Sequence, residues 1–387
     1  MAFQFLQKQS YRNFEVIVSD NFTNEELSCS FLKEKEYGFN LKYVRPTTHL
    51  SMVENWNFAY QFCEGEYVAF FTDKMFLMPG LLDRLVRLIV SDSPDIINWQ
   101  DAPFVPDKFP EYFASGKLFA VAEQEVQPIK YDPRKALELK LAMKHPRSEM
   151  NPVDYARGKI CFGVFSKKLC ERIVKISGSI FHPLSPDYTS MILGLYHAET
   201  CYDLVRPGII HISTDLSNGG NANRSEISAF NYLKTCGDIN QILSNLPVAG
   251  VYASISNCVL YDYVNMAKKY NLNLNFEIEN WLVFIEEEIR DKNKIWSNDQ
   301  VCKSHIKMFD QHIENLQASK KKRYKELSKI RQEDLKDRSF LKYKKHAKDF
   351  ISSFIPDFLK KKLKRKRLKV ARNYIEVASL LEILKKW

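Results

Sequence analysis

The chain opens with a short apolar stretch, Phe3, Phe5 and Leu6, that reads as the end of a helix over residues 2–9. Asn13-Phe-Glu-Val-Ile-Val-Ser-Asp20-Asn21 alternates and then runs continuously apolar, the pattern of a strand that stops at two turn-forming residues. Leu41–Arg45 predicts a second strand, and Met52–Phe62, carrying Asn55, Trp56 and Asn57, a helix. Tyr67–Phe71 has no polar alternation and predicts a strand buried on both faces. It ends at Thr72-Asp73-Lys74, and Pro79-Gly80 closes the loop before Leu81, Leu82, Leu85, Leu88 and Ile89 resume at helical spacing. Asp95–Trp99 predicts a further strand. This alternation of strands and helices implies an α/β fold with parallel pairing.

Residues 102–157 are irregular and rich in Pro and charge, with one helix near Arg134–Lys144, and loops of that length are commonly functional. Gly158–Phe165 predicts a strand and Lys167–Ile176 a helix. Ser185 and Pro186 are placed as N-cap and first residue of a helix running to His197, with Asp187 in its first turn. Val205–Ile212 predicts a last strand, followed by the Gly-rich stretch 217–222; beyond Ser225 the pattern is helical.

Composition narrows the class. At 387 residues, 45% hydrophobic and 13% aromatic, the chain is globular and supports a substantial core. No uninterrupted apolar run reaches the roughly 18 residues of a spanning helix, and no leader pattern opens the chain. The cysteines are scattered without C-x-x-C or zinc-like spacing, which favours free thiols in a reducing cytoplasm. Charge is segregated: residues 320–387 hold 24 Lys+Arg against 8 Asp+Glu, a net +16, while the preceding 319 residues hold 33 against 39, a net −6.

Four blocks in order carry a resemblance. Gln7-Lys-Gln-Ser-Tyr-Arg-Asn-Phe-Glu-Val-Ile-Val-Ser-Asp20, Asn55-Trp-Asn-Phe-Ala with Gly65-Glu-Tyr-Val-Ala-Phe, the Asp73 loop with Pro79-Gly80, and Ser185-Pro-Asp187-Tyr188 resemble the family 2 glycosyltransferases of the bacterial cell-surface polysaccharide type, from Gln7 to about Ala222. The resemblance implies a GT-A-like, Rossmann-like fold: a mixed, mostly parallel sheet flanked by helices, over residues 1–225. A helical extension (226–319) and a basic amphipathic helical tail (320–387) would follow.

What the resemblance implies for chemistry is transfer of a sugar from a nucleoside-diphosphate donor to a saccharide or lipid-linked saccharide acceptor, with inversion. Asp20 would bind the nucleoside, with Asn55 beside the donor. Asp73 would ligate a divalent cation, Mg or Mn, on the diphosphate, with Lys74 as direct positive charge and His211 as a further metal ligand. Asp187 would be the general base. Each residue also has an ordinary reading: a turn at Asp20, pairing of Asp73 with Lys74, a helix-dipole acid at Asp187, a core histidine at His211. The pattern departs from the family at Met75, where a second carboxylate is usual.

Relatives also carry a hydrophobic strand ahead of the helix in which this chain starts. The resemblance therefore implies either a start upstream or an open apolar slot beside the Asn13–Asp20 strand. These departures keep a catalytically degenerate glycan- or partner-binding module as an alternative; a nucleotidyltransferase is a second, lacking its Gly-rich phosphate loop.

In the tail, Phe350, Ile351, Phe354, Ile355, Phe358, Leu359 and Leu363 follow helical spacing beside the basic run 360–369. That pairing describes a helix at an anionic membrane surface through 350–370, peripheral on the inner face of the plasma membrane. A solvated helix packed on the body is the plainer reading. Nucleic acid lacks an aromatic platform or zinc spacing to support it.

Overall fold

The computed structural model describes residues 2–22, 37–72, 74–106, 116–118, 127–144, 149–212 and 218–353. The order begins α1 (Ala2–Gln7), β1 (Glu15–Ser19), β2 (Asn40–Val44), α2 (Met52–Tyr60), β3 (Tyr67–Val68), β4 (Met75–Leu77), α3 (Leu81–Asp92) and β5 (Ile96–Pro106). It continues with β6 (Gly116–Leu118), β7 (Ile129–Tyr131), α4 (Pro133–Ala142), α5 (Pro152–Ala156), a 3-10 turn (Ile160–Phe162), β8 (Gly163–Ser166), α6 (Lys167–Ser177), α7 (Pro186–His197) and β9 (Cys201–Ile212). Helices alone follow: α8 (Asn218–Arg224), α9 (Glu226–Cys236), α10 (Ile239–Asn245), α11 (Ile255–Lys269), α12 (Ile278–Ile295), α13 (Asp299–Glu314) and α14 (Ala318–Ser353).

The expected α/β sheet flanked by helices is present, followed by the expected helical region. Its two longest ladders are parallel: β1 with β2, Glu15↔Asn40 to Ser19↔Val44, and β5 with β9, Ile96↔Cys201 to Phe104↔Ile212. Short antiparallel ladders fill in around them, giving the order β3-β8-β5-β9-β4 with β6 on β5 and β7 on β9. Ile96, Ile97 and Trp99 of β5, Phe165 of β8 and Ile209 of β9 are fully buried at its centre. The apolar core continues without a break into Tyr263, Trp281, Ile289 and Phe309 of the helical region.

Four elements differ from the sequence reading: the strand expected over Gly158–Phe165 splits into the 3-10 turn and β8, the Gly-rich stretch enters α8, and two short strands depart as follows. The strand expected over Tyr67–Phe71 pairs only at Tyr67–Val68, because Phe70 turns to pack on Trp56 and Phe181. Met75–Leu77, expected as loop, is a strand against β9, its three side chains all buried. Three residues are too few to set a period.

β1 and β2 form a two-stranded ribbon separate from the larger sheet. Among the described residues, the second edges of β1 and of β3 carry no ladder. The Glu15 carboxylate instead accepts the N–H groups of Glu64 and Gly65 at 2.6 and 2.8 Å, just ahead of β3. Val16, Ile17 and Val18, apolar as a central strand would be, are only half-buried. Among the described residues no ladder joins the ribbon to the larger sheet.

Candidate active site

Asp20 follows the last residue of β1 and extends its ladder, its N–H donating to Val44 O at 3.0 Å. The carboxylate is 5% exposed; Tyr43 Oη donates to Oδ2 at 2.5 Å, and Arg45 Nε lies 4.0 Å from the same oxygen. Arg45 also covers the Phe22 ring at 4.9 Å. Phe22 is 42% exposed and has φ of 60°, so an aromatic face and an acid lie together at the carboxyl end of a strand, where open α/β sheets bind ligands.

Asn55 lies on α2 with its Oδ1 accepting from Ser19 Oγ at 2.8 Å, so it braces the residue before Asp20. Asn57, one residue beyond Trp56 on the same helix, exchanges both amide bonds with Phe181. This side chain therefore fastens α2 to the segment ahead of α7. The N-terminus of α2 carries a complete capping box, Ser51 with Glu54. A cavity of about 200 Å³, lined by Ser51, Met52, Glu54, Pro183, Tyr232 and Cys236, opens beside it. In this way α2 connects the Asp20 end of β1 to the segment that leads into Asp187.

Asp73 lies outside the described residues. Lys74 is half-buried, and its carbonyl accepts the Ile212 N–H at 2.9 Å, which brings the start of β4 beside His211. His211 Nδ1 lies 3.7 Å from Asp101 Oδ2, both groups about one-third exposed or less. Asp101 and His211 are a carboxylate and an imidazole on adjacent parallel strands, one carboxylate more than the sequence offered here. Among the described residues no third His, Cys, Asp or Glu completes a metal-binding group. Met75, at the family's second acidic position, is buried in the β4 ladder opposite His211 and offers no carboxylate.

Asp187 is in the first turn of α7, its side chain 33% exposed. Lys159 Nζ lies 3.5 Å from Oδ2 and is itself 1% exposed. The ammonium is enclosed by the rings of Tyr155 at 3.8 Å, Tyr188 at 4.0 Å and Phe162 at 5.8 Å. Burial works against its charge, but Tyr155, Tyr188 and Asp187 outweigh burial and hold its pKa well above the ordinary lysine value. Lys140, pushed down to about 7 by burial and by Lys159, donates to the Asp154 and Tyr155 carbonyls and seats the helix that walls this box.

The sequence singled out Asp20, Lys74 and Asp187 as candidates from their neighbours in the chain. It did not single out Tyr43, Arg45, Asp101 and Lys159, which the fold sets beside the candidate residues. Arg45 closes an apolar strand and Asp101 follows one, so each stands where a strand-end residue reaches a site. Lys159, lying inside the apolar stretch predicted as a strand, had no such signal; only the fold sets it against Asp187.

Residues 2–131 match the family described as glycosyl transferase family 2. The match spans the N-terminal third of the chain, where its motifs led one to expect similarity to that family. No curated protein sequence matches the chain. Among solved structures, S. aureus TarS residues 1–349 in complex with UDP-GlcNAc is similar at 12% identity and a TM-score of 0.44, with 86% of each chain covered. The structure of S. aureus TarS aligns at 12% identity and a TM-score of 0.40, over 84% of this chain and 51% of that one.

Proposed function

We propose that this chain is a glycosyltransferase that moves a sugar from a nucleoside-diphosphate donor to a saccharide or lipid-linked saccharide acceptor. The observation that carries this reading is the family 2 match over residues 2–131, whose first motif ends in Asp20, an acid buried at a strand end. Asp20, with Tyr43 fixing its carboxylate, binds the nucleoside. Asp187 takes the proton from the acceptor hydroxyl as that oxygen attacks the anomeric carbon. The bond to the diphosphate breaks on the opposite face, so the anomeric centre inverts. Lys74 offsets the charge that grows on the departing diphosphate. Asp73 and His211, with Asp101 beside the latter, are the residues that would hold a divalent cation, whose chemistry is to neutralise the same charge.

On this reading residues 1–225 are the transferase, 226–319 its helical extension and 320–387 a basic tail for an anionic membrane surface on the cytoplasmic face. Residues 354–370, where that surface helix was expected, lie outside the described residues. No helix among the described residues is long and apolar enough to cross a membrane.

Nucleotide-sugar hydrolysis or transfer, followed by release of the nucleoside diphosphate over a panel of UDP- and GDP-hexoses, tests the roles. Asp187→Ala is expected to lower kcat about 100-fold or more, the usual contribution of a general base. Asp73→Ala is expected to raise the metal requirement. Unchanged turnover in both variants refutes the assignments. The buried Met75 favours a second reading, a degenerate domain that binds sugars without turnover. Donor binding heat with no turnover of the wild type would identify it.

A further inference from the structure

The turn that presents Asp187 is held by the helical region. Leu184 has φ of 71°, a left-handed conformation that strains a bulky residue and persists only where its surroundings enforce it. Tyr232 Oη, from α9, donates to the Leu184 carbonyl at 2.5 Å. Ser185 stands at the N-cap of α7, where the sequence placed it, yet its hydroxyl makes no cap bond. Asp262 of α11 faces that backbone and hydroxyl instead.

Asp262 is 4% exposed, and its Oδ2 has no hydrogen-bond partner among the described residues. Besides Ser185, the titratable groups that face it are Asp187 on α7, Tyr232 and Cys236 on α9, and Tyr261 on its own helix. No Lys, Arg or His is paired with it among the described residues. An ionised carboxylate there would be buried with one bare oxygen and a second acid nearby, which costs far more than the neutral form. With the proton on Oδ2, the other oxygen is left to face the Ser185 hydroxyl and backbone.

We propose that Asp262 is a neutral carboxylic acid that positions the Leu184–Asp187 turn, so that the helical region beyond Ser225 is part of the catalytic centre. This rests on Asp187 as the base. Burial, the first cause, pushes the Asp262 pKa well up, in the same direction as the geometry. Ser185 gives up its ordinary cap so that the turn is fixed by α11 rather than by α7 alone. The reacting carboxylate is thereby held by an element distant in sequence, and any shift of α11 moves it.

The test uses the full chain with Asp262→Asn, which copies the neutral acid, and Asp262→Leu, which removes the acceptor. Infrared difference spectra between wild type and Asp262→Asn at pH 7 are expected to show the carbonyl stretch of a protonated carboxyl; its absence overturns the neutral acid. Hydrogen exchange of a peptide spanning 183–190 is expected to quicken at least tenfold in Asp262→Leu and not in Asp262→Asn, with β5 peptides unchanged. Equal exchange in all three forms overturns the positioning role. Turnover should follow: kcat at least tenfold lower in the Leu variant, within twofold in the Asn variant, with donor KM unmoved. Should the Leu variant fail to fold, Tyr232→Phe, which loses the Leu184 bond, is read by the same exchange and kcat criteria. Retained activity in Asp187→Asn alongside the expected exchange result would sink the base assignment and leave the turn's dependence on Asp262 standing.

Discussion

Asp203 has no exposed surface, and one of its oxygens, Oδ2, lacks a hydrogen-bond partner among the described residues. It lies on β9 opposite Asn98 of β5 and Ile129 of β7. Burial pushes its pKa up to about 6, against the Val205 N–H and Arg157, which pull it down. The folded state therefore binds this proton more tightly than the unfolded chain. Its contribution to stability is whole below the unfolded value near 3.8 and is lost as pH rises through about 6. Relative to wild type, Asp203→Asn is expected to gain stability between pH 4 and pH 7, by roughly 2–3 kcal/mol. Thermal melts of both proteins across that range read it; parallel curves would show that the carboxyl does not titrate there. The contrast with Asp20 explains which residues were legible. Asp20 ends an apolar run and lies in a motif, so its neighbours announce it. Asp203, Lys159 and Asp262 get their character from groups far away in the chain, and no local pattern records that.

The same division holds for whole elements. α3 was legible because Leu81, Leu85 and Leu88 repeat at helical spacing and are all buried. α7 was legible from its Pro and first-turn acid. β4 was not, since a three-residue strand is specified by its partner β9 rather than by its own period. The β1–β2 ribbon was legible as two strands, while its separation from β3 is a tertiary fact. One edge of β1 has no ladder among the described residues, so its outward amides depend on neighbours other than a strand. They are expected to exchange at least tenfold faster than the amides of β5 at Ile96 and Ile97, which lie inside the large sheet. Site-resolved exchange by NMR checks this; equal protection would mean that a further segment covers the slot.

Over the whole molecule, one residue fastens the basic end to the body. Arg331 of α14, 10% exposed at its side chain, bonds Glu287 of α12 at 2.8 and 3.0 Å and Glu149 at 2.6 and 3.0 Å. Asp334, one turn on, takes a further bond at 3.1 Å. Tyr324 and Ser328 of the same helix both donate to Glu286. Arg331→Ala takes the guanidinium away from Glu149 and Glu287, a loss of about 3 kcal/mol by analogy with other broken buried pairs. Tryptic cleavage within 320–336 is expected to accelerate at least tenfold, while the sheet region stays resistant; an unchanged digest would mean that the apolar seam alone holds the helix.

α14 runs for 36 residues, roughly 54 Å at helical rise. It is anchored at one end to a body of net −6 and belongs to a segment of net +16. Within α14 itself residues 320–353 hold 13 Lys+Arg against 5 Asp+Glu, a net +8, so this helix is a positively charged rod set on an acidic body. Near any negatively charged sheet of lipid or polymer it experiences a torque before it makes contact. Which end arrives first is then decided by long-range field and ionic strength, ahead of any lock between surfaces.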